Sequence, residues 1–372
     1  MSRQRFTLLL IAALVVISCA LYLAARRDRP QETQGAALLP SLARQLSAVS
    51  AVAIRKAAAP AAVTLQRTGE QWRVKERADY PADVAKIRTL LLALADARIV
   101  EEKTADPARF SSIGVEDPAP AAARAPQGPA AMPASAGVLV TVTAADGTSA
   151  VIVGKPVGEG SFVRRAGERQ SYSVEPAINV EAEPSFWIDS RLLDLSSALI
   201  QSIDVTPAAG AAYSLHRLNP ADGTYRLDGV PAGRQAEDAH ALAPGPTTFS
   251  GLAAEDVAPS GDIDFGQASQ VVVTLSDGNV VTLTGTVIAD KHWIEVKSAK
   301  DAALTAKAQG RAFNIASYRY DAIFRPLEQL LVPKPPPKPA VPGASAPAPG
   351  AAKAAAAASP HAKPHPAPNP AP

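Results

Sequence analysis

Val138-Leu-Val-Thr-Val-Thr143, then Asp146-Gly147, then Ser149-Ala-Val-Ile-Val153: two alternating apolar runs meet across an Asp-Gly pair. Side chains of a strand alternate between its two faces, so each run has one face to bury. Asp-Gly supplies the positive φ that a tight hairpin turn requires. The arrangement returns about 130 residues later as Gln270-Val-Val-Val-Thr-Leu-Ser276, Asp277-Gly-Asn279 and Val280-Val-Thr-Leu-Thr284. A hairpin repeated at that distance marks an internal duplication.

Working outward, the first copy opens with the period-two run Ser50-Ala-Val-Ala-Ile-Arg-Lys56. Ala62-Val-Thr-Leu-Gln-Arg67 follows, turns at Thr68-Gly69-Glu70, and returns as Gln71-Trp-Arg-Val-Lys75. The second copy reads Gln201-Ser-Ile-Asp-Val-Thr206, Ala212-Tyr-Ser-Leu-His-Arg217, a turn at Ala221-Asp-Gly223, and Thr224-Tyr-Arg-Leu227. Trp72 and Tyr225 hold the equivalent inward position. Asp83 can cap a helix over 84–96 that buries Val84, Ile87, Leu91 and Leu94, with a degraded counterpart around Gln235–Leu242. Each copy adds a further hairpin, Phe162–Arg165 with Tyr172–Glu175 and Trp293–Lys297 with Ala312–Ile315. Each then closes in a helix, Trp187–Asp194 and Tyr320–Leu327.

The pattern predicts an α+β fold. An N-terminal transmembrane helix is followed by two duplicated units of antiparallel β-hairpins with covering helices, over 46–198 and 199–332. Pro118–Ala136 reads as a flexible Pro/Ala insertion in the first unit. The tail, 333–372, has 14 prolines, no acidic residue and lysines at 334, 338, 353 and 363. With so little apolar bulk it cannot offset its ordering entropy, and it is predicted to be disordered.

At the other end, a short basic N-terminus (1–5) precedes Phe6–Ala25, twenty residues without a charge. As a helix they reach about 30 Å, the thickness of a hydrocarbon core. Arg3 and Arg5 flank the run on one side and Arg26, Arg27 and Arg29 on the other, with a juxtamembrane linker over 26–45. The run predicts a single-pass signal-anchor in a bacterial inner membrane, with the bulk of the chain in the periplasm. A cleaved signal peptide ending near Ala24-Ala25 is one alternative. Another is a lipoprotein, because Val16-Ile17-Ser18-Cys19 has the form of a lipobox and makes Cys19 a lipidation candidate.

Cys19 is the sole cysteine, so the exported part has neither disulfides nor thiolate chemistry. The formal charge of +2 is unevenly spread. Residues 31–332 hold 28 Lys and Arg against 34 Asp and Glu, and the excess positive charge lies in the anchor flanks and tail. A mildly acidic body argues against nucleic acid as a partner.

A further set of features has a familiar order. An N-terminal apolar run precedes Gln71-Trp72-Arg73-Val74, Pro81-Ala82-Asp83 opens a helix with Leu90-Leu91-Leu92, and Phe110-Ser-Ser-Ile-Gly-Val-Glu-Asp-Pro118 comes next. Val153-Gly154-Lys155-Pro156 and Phe186-Trp187-Ile188-Asp189 ahead of Leu192-Leu193 complete the set. Over roughly 46–330 this resembles the bacterial domain-of-unknown-function family 4340. The resemblance implies an envelope protein associated with ABC-type transport systems as an auxiliary component, with no catalytic residues to carry over. The insertion at 118–136 and the long tail depart from the family pattern.

Chemistry-bearing motifs are sparse. His216, His240 and His292 lack the paired spacing of a zinc site. His361 and His365, four residues apart, fall in the tail predicted to be disordered, where they would scavenge metal only weakly. Asp262-Ile-Asp264 reads as turn chemistry, and Gly158-Glu-Gly-Ser161 is too short for a phosphate loop. No Gly-x-Ser-x-Gly or Ser-x-x-Lys appears. The sequence therefore predicts no catalytic residue, no metal and no cofactor. Trp187, beside Phe186, and Trp293 read as core filling, or as an aromatic surface for a partner. The function expected is a non-enzymatic, membrane-anchored accessory protein that binds an ABC-type permease or another envelope protein. An envelope structural module that reaches the cell wall through its tail is the alternative, and an enzyme of unrecognised type is the third reading.

Overall fold

The structure, a computed structural model, describes residues 34–57, 62–118, 137–219, 223–242 and 244–333. The expected basic start at 1–5, the apolar span 6–25 with Cys19, the insertion over 119–136 and the tail from 334 lie outside the described residues.

Helix α1 (Pro40–Gln45) runs through a 3-10 turn at Leu46–Ala48 into β1 (Ala51–Lys56). Val52 and Ile54 are buried while Ala53 and Arg55 are exposed, the alternation of a half-buried strand. Then come β2 (Val63–Thr68), β3 (Gln71–Val74) and β4 (Tyr80–Pro81), followed by α2 (Val84–Asp96), β5 (Arg98–Glu102) and α3 (Phe110–Ile113). A meander of β6 (Val138–Ala144), β7 (Gly147–Val157), β8 (Gly160–Arg165) and β9 (Ser171–Glu175) completes an antiparallel sheet. Its order is β4-β3-β2-β1-β6-β7-β8-β9-β5. The Gly137 N–H donates to the Glu116 carbonyl over 3.2 Å, so the chain leaves for residues 119–136 and returns from them at nearly one point.

A short strand, β10 (Arg191–Leu193), leads to β11 (Ile200–Thr206), β12 (Tyr213–Asn219) and β13 (Thr224–Asp228). Two helical turns, α4 (Ala239–Leu242) and α5 (Pro244–Thr247), precede β14 (Leu252–Ala253) and β15 (Asp256–Pro259). After β16 (Ser269–Leu275), β17 (Val280–Ile288) and β18 (Lys291–Ser298) come α6 (Ala302–Ala308), β19 (Arg311–Ile315) and α7 (Ser317–Ile323). This second sheet has the order β13-β12-β11-β16-β17-β18-β19-β15, strand for strand that of the first sheet without β4.

The likeness reaches single side chains. Arg67 stands opposite Trp72 across β2 and β3, and donates to the Ser47 carbonyl at the turn before β1. Arg217 stands opposite Tyr225 across β12 and β13, and donates to the Ser197 and Ala198 carbonyls at the turn before β11.

Buried apolar side chains of both sheets merge into one continuous core, from Val52, Leu65 and Val140 to Val273, Leu283 and Phe313. Gly285 marks where α7 lies against β17, because a Cβ there would fall 2.4 Å from the Phe324 ring and 2.8 Å from the Tyr320 ring. Phe110, Val115 and Ile152 form a smaller cluster of their own.

Three sequence expectations are corrected. The fold is mostly β-sheet, not α+β: strands take 42% of the described residues and helices 24%. The reason is that the covering helices are short, with only α2 longer than seven residues among those described. Second, Trp187–Asp194 is not a helix. It is a 3-10 turn at Pro184–Trp187 followed by β10, because backbone bonds from Asp83 N to Trp187 O and from Asp189 N to Pro81 O hold the chain extended beside β4. Third, among the described residues no helix is long and apolar enough to cross a membrane. The 13-residue α2 reaches only about 20 Å against the ~30 Å of a hydrocarbon core. The described residues therefore give no support to the single-pass inner-membrane placement with a periplasmic bulk.

Candidate functional site

Asp83 caps α2, its Oδ1 accepting from the Ala85 N–H at 2.9 Å and the Lys86 N–H at 3.3 Å. Ile87, Leu90, Leu91, Leu94 and Ala95 face the core. Val84, Arg88 and Leu92 form a second row at four-residue spacing, and here the structure departs from the sequence expectation. Val84 is 52% exposed and Leu92 43% exposed, so Val84 belongs to the outer row and not to the buried face.

Beside this row runs a groove. One part, about 440 Å³, lies between α2, the turn at Leu46–Ala48 and the β2–β3 hairpin; Leu46, Val49, Trp72, Ile87, Leu91 and Leu92 give it an apolar lining, with Arg67 and Arg88 among its polar residues. The other part, about 610 Å³, is the more polar of the two, with Gln71, Asp83, Asp189, Ser190 and Arg191 along it. Glu70, Trp72 and Val84 line both parts, which makes them one groove with the buried Trp72 ring as its floor.

The charges along it differ in their ties. Arg67 donates to the Ser47 and Gly69 carbonyls, each at 3.0 Å. Asp189 accepts from Lys307 at 3.0 Å and from Arg191 at 3.2 Å. Burial pushes the Asp189 carboxyl up, but the hydrogen bonds from Lys307 and Arg191 together outweigh it and hold the carboxyl below its usual value. Glu70 and Arg88 have no hydrogen-bond or ion-pair partner among the described residues.

A depressed carboxylate adds stability above its unfolded pKa of about 3.9 and loses it as pH falls through the folded value. Asp189→Asn is therefore expected to cost about 1–2 kcal/mol in urea denaturation at pH 7. The difference should shrink when the measurement is repeated near pH 3, and an unchanged difference there would rule out the carboxylate as its source.

Behind the polar part, the two sheets meet along a polar seam. Arg311 of β19 donates from Nε to the Ala78 carbonyl at 3.0 Å, and from a terminal nitrogen to the Lys307 carbonyl at 3.0 Å. Ala78 and Asp79 both adopt left-handed backbone, at φ 53° and 52°. Arg77 reaches across to Asp256 and also pairs with Glu183 at 3.0 Å. Tyr80 is fully buried against Phe313, with ring centroids 5.5 Å apart. Its hydroxyl has no hydrogen-bond partner among the described residues, and burial pushes its pKa well above the ordinary phenol value.

The site residues predicted from sequence fall elsewhere. Trp187 is 2% exposed and its indole N–H donates to the Glu181 carbonyl at 2.9 Å. Trp293 is 6% exposed. Neither ring is presented to solvent, so the partner-surface reading of these two tryptophans has no exposed anchor to rest on. Cys19 lies outside the described residues.

The His216 Nε2 is 3.6 Å from an Asp228 oxygen. Ser202, opposite His216 across the strands, directs its hydroxyl to Asp204, so the three do not form a relay. His292 lies against Tyr320 with the ring planes tilted by 57° and centroids 5.1 Å apart. Asp264 accepts from the Gly266 N–H at 2.8 Å, which is turn chemistry. Among the described residues no group of three or more His, Cys, Asp or Glu side chains is placed to hold a metal ion. A void of about 20 Å³ in the second sheet's core has room for little more than one water.

Sequence reasoning missed the groove. The one signal available was the fourth-residue row Val84, Arg88, Leu92, which sits beside the core-facing positions of α2 and was partly assigned to them. In comparisons with known proteins, the family described as Domain of unknown function (DUF4340) matches residues 72–270, just over half of the chain. No curated protein and no solved structure matches it.

Proposed function

We propose, for a chain that belongs to the DUF4340 family, that it acts as a non-enzymatic binding module which holds a segment of a protein partner in the groove beside Trp72. The observation that carries this reading is the pair of large apolar side chains, Val84 and Leu92, turned to solvent along an apolar recess of about 440 Å³. Fully burying such a side chain is worth about 1.5–3 kcal/mol, and with Val84 52% and Leu92 43% exposed roughly half of that is left for docking to recover.

The duplication supports the same reading. In the second copy, two four-residue turns stand where α2 stands in the first. There the aromatic of the hairpin is tied down, its hydroxyl donating to the Ile200 carbonyl at 3.0 Å. The groove thus belongs to the copy that carries the long helix. Of its three carboxylates, Asp83 and Asp189 are engaged with their own chain and only Glu70 has no partner among the described residues, which favours docking over chemistry by paired acid and base.

The partner class we propose is a component of an ABC-type transport complex, the association that the family resemblance implies. Cross-linking the full chain in its native cells, followed by identification of the captured protein, tests this. Recovery of a transporter subunit is expected, with at least a tenfold loss for Leu92→Arg. Equal capture by Leu92→Arg would exclude the groove as the docking surface.

A further inference from the structure

We infer that the groove takes an extended segment of its partner in which one acidic residue lies between two apolar ones, in the pattern apolar-x-acidic-x-apolar. This rests on the reading of the groove as a docking site. The row Val84, Arg88, Leu92 rises about 6 Å between neighbours, at ~1.5 Å per residue. In an extended chain, every second side chain falls on one face at a spacing of about 6.6 Å. Positions i, i+2 and i+4 of such a segment then stand opposite Val84, Arg88 and Leu92 in turn. A helical segment would match the row at i, i+4 and i+8 instead, and enrichment of that spacing in the selection below would overturn the extended assignment.

The charge of the middle position follows from what Arg88 lacks. Its guanidinium has no partner among the described residues, although it sits between two exposed apolar side chains. Arg67, the other cation on the apolar part, is bonded only to carbonyl oxygens and so keeps its full charge. On the apolar part the two cations Arg67 and Arg88 outnumber the one carboxylate, Glu70, while Asp83 and Asp189 lie on the polar part. A carboxylate on the partner is thus met by cations at the Arg88 position, and Arg can hold it in a bidentate pair.

Selection of a random-peptide display library on the full chain tests the assignment, with Arg88→Glu and Leu92→Arg as parallel targets. Wild type is expected to enrich apolar-x-Asp/Glu-x-apolar. Arg88→Glu should enrich Lys or Arg at the middle position and bind the best wild-type peptide at least tenfold more weakly. Arg88→Lys should keep the acidic preference, which separates charge from loss of fold. Peptides lost on Leu92→Arg but indifferent to charge at the middle position would overturn this inference and leave the docking reading standing. Absence of any peptide that depends on Leu92 would overturn both. Self-association in sedimentation that Leu92→Arg abolishes would place a second copy of the chain in the groove, and would equally overturn the assignment.

Discussion

Trp187→Ala is expected to lower stability by about 3–5 kcal/mol, the range for deleting a large aromatic from a packed interior. The ring is 2% exposed, and its neighbour Phe186 meets it edge-on with centroids 5.2 Å apart. The loss extends beyond the ring's own volume because of what the backbone at this point does. Trp187 O accepts from Asp83 N, the residue that caps α2, and Asp189 N donates to Pro81 O on β4. Two residues further on, β10 pairs with β14, which belongs to the second half of the chain. The segment is a strap across both halves, and the indole holds it down from inside. Urea denaturation should show a lower midpoint with an unchanged slope. Trp187→Phe, which keeps most of the packing and gives up the 2.9 Å bond to Glu181 O, should lose less than half as much. An alanine variant as stable as wild type would mean that the strap is held by its backbone alone.

That strap also shows what a sequence can and cannot disclose. Hairpins with local causes were legible to within a residue. Thr143 pairs with Thr148 and Ala144 with Gly147, which puts the turn at Ala145-Asp146, one residue before the expected Asp-Gly pair. Asp83 caps the helix that its position announces. The segment after Trp187 was misread because its partners, Pro81–Asp83 and Leu252, are far away in sequence. An apolar run of that length fits a helix or a strand equally well until those partners are known. The class was misread for a related reason. A capped apolar stretch signals a helix, but its length depends on how much sheet surface it must cover, and here seven residues or fewer usually suffice. The groove was illegible because it is assembled from 46–49, 67–72, 81–92 and 189–191. Trp72 could be read as inward-facing, but nothing in its neighbours told whether a helix would lie close enough to leave a recess above it.

Tyr80 offers a test in which two substitutions at one position separate packing from polarity. Tyr80→Ala is expected to cost about 3–5 kcal/mol, since the ring is fully buried against Phe313 at the seam where the sheets meet. Tyr80→Phe should be neutral or stabilising by about 1 kcal/mol. It keeps that ring and removes a hydroxyl whose burial without a partner is unfavourable. The cations near the ring do not alter the expectation. Lys307 Nζ and Arg311 Cζ lie 5.4 and 5.8 Å from the ring centroid and interact with its face, which phenylalanine retains. Both are also held independently, Lys307 by Asp189 and Arg311 by the carbonyls of Ala78 and Lys307. The seam therefore depends on the ring for packing and on the two cations for registration, with the phenolic oxygen contributing to neither. A loss above about 1 kcal/mol on Tyr80→Phe in the same urea titration would show that the oxygen has a role there, and would transfer part of the seam's stability from packing to hydrogen bonding.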